Sequence, residues 1–162
     1  MSAPQPIQFD SIYEQYHDMV FQVCTGFLKG DREMAADLTQ DVFINTWNAY
    51  SSYRGDASHK TWIYRITVNT CLQHLRKQKN RTNVGTEALG DRPDEEKPGD
   101  AHFTDLYQAI GQLNELDRLI IMMVLEEIDY PEISQIVGIS EGNLRVRIHR
   151  IKQKLKKLLD HG

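Results

Sequence analysis

Cysteine is scarce in this chain: its 162 residues include only Cys24 and Cys71, far apart and each inside an apolar helical pattern. That usage argues against a disulfide framework or a metal-binding pair, and both residues read as small core side chains. The histidines show no ligand spacing with cysteine or with one another, so neither structural zinc nor any other metal or cofactor is expected. No apolar run approaches the roughly eighteen residues needed to cross a bilayer, and direct membrane insertion is not expected. The opening Met-Ser-Ala-Pro-Gln-Pro lacks the basic-then-apolar layout of a signal peptide, so the expected location is the cytoplasm. Period-two alternation and internal repeats are missing as well, and the fold expected is all-α.

What is present is a composition of 40% hydrophobic and 26% charged residues, typical of a globular chain. The formal net charge of −4 weighs against a nucleic-acid partner until its distribution is considered. From Ser140 to Gly162 there are seven Lys/Arg and two acids, whereas from Thr82 to Asp105 there are two Lys/Arg and seven acids. A basic tip and an acidic tether therefore share one chain.

The helical periodicity divides the chain. After a loose start over 1–7, Phe9, Ile12, Tyr13, Tyr16, Met19, Val20, Val23 and Phe27 predict a first helix that closes near Gly30. Asp31 suits the cap of a second, with Ala35, Leu38, Val42, Phe43 and Trp47 on its buried side. Tyr50 to His59 is a loop of small and turn-forming residues, and a third helix follows from about Lys60 to Lys79. The stretch 81–103 holds too few large apolar residues to order itself and reads as a flexible linker. Two small helical domains result, 8–80 and 104–160.

The last stretch is the most informative. Pro131 fits a first helical turn, Ile133, Ile136 and Val137 follow at helical spacing, and Gly138 stops the helix. Ser140 can cap the next, in which Leu144, Ile148, Ile151, Leu155 and Leu158 form one apolar stripe. Arg145, Arg147, Arg150, Lys152, Lys154 and Lys157 fall off that stripe, to stay with water or with something acidic. Short helix, glycine turn and basic helix make a helix-turn-helix, whose second helix can enter a DNA major groove. An ordinary helical hairpin with a solvated basic face is the plainer reading of the same residues.

Four stretches carry a resemblance: Asp37-Leu-Thr-Gln-Asp-Val-Phe-Ile-Asn-Thr-Trp47, Tyr53-Arg-Gly-Asp56, Thr61-Trp-Ile-Tyr-Arg-Ile-Thr-Val-Asn69, and Tyr130-Pro-Glu-Ile-Ser with Leu144-Arg-Val-Arg-Ile-His-Arg150. In them the chain resembles a group-four, extracytoplasmic-function (ECF) sigma factor of bacterial RNA polymerase. The resemblance implies sigma region two in the first domain and region four in the second. It also implies a non-enzymatic factor that binds core polymerase, recognises minus-ten and minus-thirty-five promoter elements and promotes melting. Asp37, Gln40, Asp41, Asn45 and Trp47 then match the segment that docks on the clamp helices of the largest polymerase subunit. A carboxylate pair at i, i+4 without a pocket reads better as a binding face than as acid–base chemistry.

Tyr53, Arg54, Asp56, Ser58 and His59 match the loop that captures a flipped minus-ten base, with Lys60, Trp62, Arg65, Asn69 and Arg76 on the following helix. Aromatic and basic groups suit that task, because stacking and base-edge contacts offset the cost of unstacking. Trp62 reads as core more than as stacker, because its neighbours at helical spacing are apolar. For the minus-thirty-five element the candidates are Ser140, Glu141, Asn143, Arg145, Arg147, Arg150 and Lys154, with Asn143 and Arg145 reading bases and Arg147, Arg150 and Lys154 holding the backbone. The family commonly has Thr-Val where this chain has Asn143-Leu144, which points to a different preferred sequence. The resemblance further implies an anti-sigma partner and no small-molecule substrate. The alternative from another class is a stand-alone helix-turn-helix regulator with an N-terminal dimerisation or sensor domain.

Overall fold

The computed structural model describes residues 6–55, 58–83 and 101–160, with side chains over 9–55, 58–81 and 105–160. Every regular element among these residues is helical: α1 (Pro6–Phe27), α2 (Arg32–Ala49), one 3-10 turn (Tyr50–Ser52), α3 (His59–Asn83), α4 (Ala101–Gly111), α5 (Glu115–Leu125), α6 (Tyr130–Val137) and α7 (Glu141–Asp160). The all-α expectation holds. Helix α1 starts at Pro6, inside the segment expected to be loose, and α3 continues past Lys79. Most of the expected linker lies outside the described residues.

Local chemistry sets these boundaries. Beyond α1 the chain passes through left-handed Lys29 and Gly30, and the Gly30 N–H donates to the Thr25 carbonyl at 2.8 Å. Asp31 then caps α2, accepting from the Met34 N–H at 3.1 Å. Asn114 serves α5 in the same way, accepting from the Asp117 N–H at 2.9 Å, and the Ser58 hydroxyl accepts from the Thr61 N–H at 3.2 Å at the start of α3.

Helices α1, α2 and α3 bury Val20, Val23, Cys24, Leu38, Val42, Ile63, Val68 and Cys71 among themselves. The second group buries Ile110, Leu119, Ile120, Met123, Ile133, Leu144, Ile148 and Ile151. These two sets join into one hydrophobic cluster, since α1 packs on α4 and α5 as well as on α2 and α3, and α3 packs on α6. The two cysteines are fully buried, as expected of core residues. The neighbouring Cys24 thiol, together with burial, holds the Cys71 thiol well above its usual pKa, so it stays protonated and unreactive.

The junction of the two helical groups is tight. A Cβ added to Gly26 on α1 would lie 2.3 Å from Sδ of Met122 on α5, so the thioether occupies the space a side chain would take. Next to it the Arg118 guanidinium sits 5.4 Å from the centre of the Phe27 ring. Its Nη1 donates to the carbonyls of Leu113 at 3.1 Å and Gly111 at 3.4 Å. Burial pushes the Arg118 pKa down, and the nearby Glu115 carboxylate acts in the opposite direction.

At Gly26 an overpacking cost of roughly 1–3 kcal/mol outweighs the ~0.5–1 kcal/mol gained by replacing a helical glycine with alanine. Gly26→Ala is therefore expected to lower the chemical-denaturation midpoint. The double variant Gly26→Ala, Met122→Ala should be less destabilised than the two single variants summed. Simple additivity would mean that the two residues do not interlock.

Candidate nucleic-acid interface

Three surfaces carry the residues singled out from the sequence. On α2, Asp37, Gln40 and Asp41 are exposed, and Ile44 and Trp47, 57% and 41% exposed, stand beside them. Positions 37, 40, 44 and 47 recur at helical spacing and so share one outer face. Gln40, Ile44 and Trp47, with Phe9, Tyr13 and Phe43, border a shallow open groove of about 360 Å³. Trp47 forms an edge contact with Phe9, ring centres 4.9 Å apart, so it is half structural as its sequence position suggests. Asn45 points elsewhere: its Nδ2 donates to the Thr70 hydroxyl of α3 at 3.0 Å, which ties the two helices together.

The loop after α2 builds an aromatic platform. Tyr53 lies against Trp62 with ring centres 4.6 Å apart and against His59 at 5.1 Å, while Tyr50 meets Trp62 at 6.1 Å. Trp62 is half-buried, part core and part platform. Gly55 takes a left-handed φ of 79°, so the chain turns sharply beside exposed Arg54. Asp56 lies outside the described residues. Ser58 spends its hydroxyl on the start of α3, and the Thr61 hydroxyl donates to the Glu132 carboxylate of α6 at 3.1 Å. Along α3, Asn69 and Arg76 are exposed, and Lys60 and Arg65 are half-buried.

The third surface is the α6–turn–α7 unit. Gly138 ends α6 at φ 74°, its N–H donating to the Ser134 carbonyl at 2.9 Å, and the Ser134 hydroxyl donates to the Ile139 carbonyl. The Ser140 hydroxyl accepts from the Asn143 N–H at 3.3 Å, as its position predicts. Leu144, Ile148, Ile151 and Leu155 are buried and fix the rotation of α7. The cations off that stripe do not share one fate. Arg147 donates through Nε to the Asp117 carboxylate of α5, so its acidic partner is within the chain. Lys154 reaches the Gln112 carbonyl at 3.4 Å, and the Arg145 guanidinium lies 5.6 Å from the Tyr130 ring centre. Glu141, Asn143 and Arg150 stand in solvent.

Residues 12–81 match the family model for Sigma-70 region 2, and residues 103–155 match that for Sigma-70, region 4. RNA polymerase sigma-H factor of Pseudomonas aeruginosa is 30% identical over 166 residues, covering 93% of this chain and 86% of that relative. The chain belongs to the sigma-70 family. ECF RNA polymerase sigma factor SigM of Bacillus subtilis is 27% identical over 158 residues, 94% of this chain and 96% of the relative, in keeping with the ECF group. In fold, this sigma factor is similar to the sigma factor RpoE from Bartonella quintana, solved in complex with the anti-sigma factor NepR. The TM-score is 0.75 at 20% identity, over 94% of this chain and 97% of that one.

The chain is thus an alternative sigma factor that initiates transcription. Reading its sequence missed the contribution of Phe9, Tyr13 and Ile44 to the α2 groove. Ile44 lies off the buried stripe of its helix, and that was the available signal.

Because Arg147 of this sigma factor is engaged with Asp117, Arg147→Ala is expected to act on stability. A loss of roughly 1 kcal/mol would lower the thermal midpoint by about 2–4 °C. The base preference at the upstream promoter element should stay unchanged, as measured by binding to a randomised duplex library. A shifted preference with an unchanged midpoint would contradict the assignment.

Proposed function

We propose that this sigma factor docks on the clamp helices of the largest polymerase subunit through the outer face of α2, using Asp37, Gln40, Asp41 and Trp47 with the groove beside them. An exposed helix face that combines carboxylates and large apolar groups suits an amphipathic helical partner. Asn45 acts from behind, by holding α2 to α3. The loop around Tyr53, Arg54, Asp56 and His59 receives a base extruded from the minus-ten strand, with Lys60, Trp62, Arg65, Asn69 and Arg76 along its backbone. The Tyr53–Trp62 platform supports this reading, since base–aromatic stacking contributes about 1–3 kcal/mol per base.

Region four reads the minus-thirty-five element with the solvent side of α7. Asn143 and Arg145 face base edges, Glu141 and Arg150 flank them, Ser140 holds the helix start, and Arg147 and Lys154 brace α7 against α5 and α4. The division of labour follows residues 8–80 and 104–160, with 81–103 as an acidic tether that duplex DNA repels. Catalysis is left to the polymerase, and the factor works in the cytoplasm. The observation that carries the proposal is the clear outer side of a capped, basic α7 in a chain that also holds the aromatic loop.

Elements named minus-ten and minus-thirty-five are separated by about 25 base pairs, or ~85 Å of duplex. Here α6 touches α3, and the two groups must part before both elements are read. An anti-sigma factor of the kind bound to RpoE fits the joined form. Run-off transcription with purified core polymerase on a promoter pool tests the reading. Starts that require the protein and share two spaced upstream motifs are expected, and Arg145→Ala should relax the upstream motif. Binding of duplex DNA by the protein alone, without initiation by polymerase, would sink it.

A further inference from the structure

The buried stripe of α7 also defines its opposite side. Counting 100° per residue from Leu144, the side facing away from Leu144, Ile148, Ile151 and Leu155 runs along Gly142, Val146, His149 and Gln153. At its centre is a residue that the basic pattern hides: Val146 is 52% exposed, an apolar side chain in a row of polar ones. A helical side chain leans over the turn before it, so Val146 lies above Gly142. Nothing stands within 4 Å of where a Cβ on Gly142 would be. Val146 is thus more than half exposed, and Gly142, one turn before it, has no side chain to shield it.

The surrounding contacts narrow what Val146 meets. Arg147 is turned toward α5 and Lys154 toward the Gln112 carbonyl just after α4, which leaves the valine central on the clear side, between the flanks that carry Asn143 and Arg145. In a major groove the distinctive apolar group is the C5-methyl of thymine, and small apolar side chains recognise it by contact. We propose that Val146 is a specificity-determining residue that selects a thymine in the upstream promoter element through that methyl group. The assignment rests on region four entering the major groove with this side of α7. It adds an apolar contact to the hydrogen bonds of Asn143 and Arg145.

The test removes the methyl and nothing else. With holoenzyme reconstituted from core polymerase, each thymine of the upstream motif is replaced singly by deoxyuridine and initiation is measured. At one thymine the wild-type protein should lose about three- to fivefold, the worth of one buried methyl group. Val146→Ser should show no thymine–deoxyuridine difference at that position, whereas Val146→Ile should keep it. Both substitutions are at an exposed site, and unchanged thermal midpoints separate the effect from misfolding. The inference is overturned if no thymine shows a methyl effect, if the motif has no thymine, or if the effect persists in Val146→Ser. Failure of the sigma reading looks different, because then no promoter fires with any version of the protein, and the Val146 assignment falls with it.

Discussion

The structure depends on the double use of α1. One side of this helix completes the core with α2 and α3, and another receives α4 and α5, so the same twenty-two residues belong to both halves of the molecule. Such use needs a place where two helix backbones come unusually close. Gly26 provides it, and Met122 fills the space, its unbranched thioether adapting to a narrow slot. The Arg118 contact with Phe27 lies beside this crossing and gives it direction, since a buried guanidinium needs acceptors from α4 on one side and a ring face on the other. Helix α6 then meets α3 through Thr61 and Glu132, so the helix-turn-helix rests against the helix carrying the aromatic loop.

That arrangement separates surfaces by kind. The outer face of α2 is acidic and apolar, the loop before α3 is aromatic, and the outer side of α7 is basic around one valine. Each surface faces away from the core because the stripe behind it is tightly specified: Leu38 and Val42 for α2, Ile63 and Val68 for α3, Leu144 and Ile148 for α7. A rotation of α7 by one residue would bury a charge and expose a branched aliphatic group. Recognition at the tip is thus oriented by hydrophobic burial well away from it.

Much of this was legible from residue order, because the signals act within a turn or two. Asp31 before an apolar-periodic run, Ser140 after Gly138, and the stripe from Leu144 to Leu155 each need only neighbours to be understood. The family stretches were legible for the same reason, being short and local. What escaped were pairings across long separations. Arg147 meets Asp117 from thirty positions away, Asn45 meets Thr70 from twenty-five, and the two cysteines come together although nothing in their spacing announces it. Periodicity says that a residue is off the buried side, but not which neighbour will claim it. Ile44 and Val146 illustrate the converse, since apolar residues on an outer side stand out only once the stripe behind them is known.

Tyr64 gives the joined halves an unusual balance. Its side chain is completely buried, its hydroxyl has no hydrogen-bond partner, and burial with the nearby Glu126 charge keeps it firmly protonated. An unsatisfied buried hydroxyl costs roughly 1–3 kcal/mol, recovered whenever the group reaches water. Glu126 caps the C-terminal end of α5, so a charge carried by one helical group acts on a phenol buried in the other. The core thus holds one polar group that packing, rather than hydrogen bonding, keeps in place.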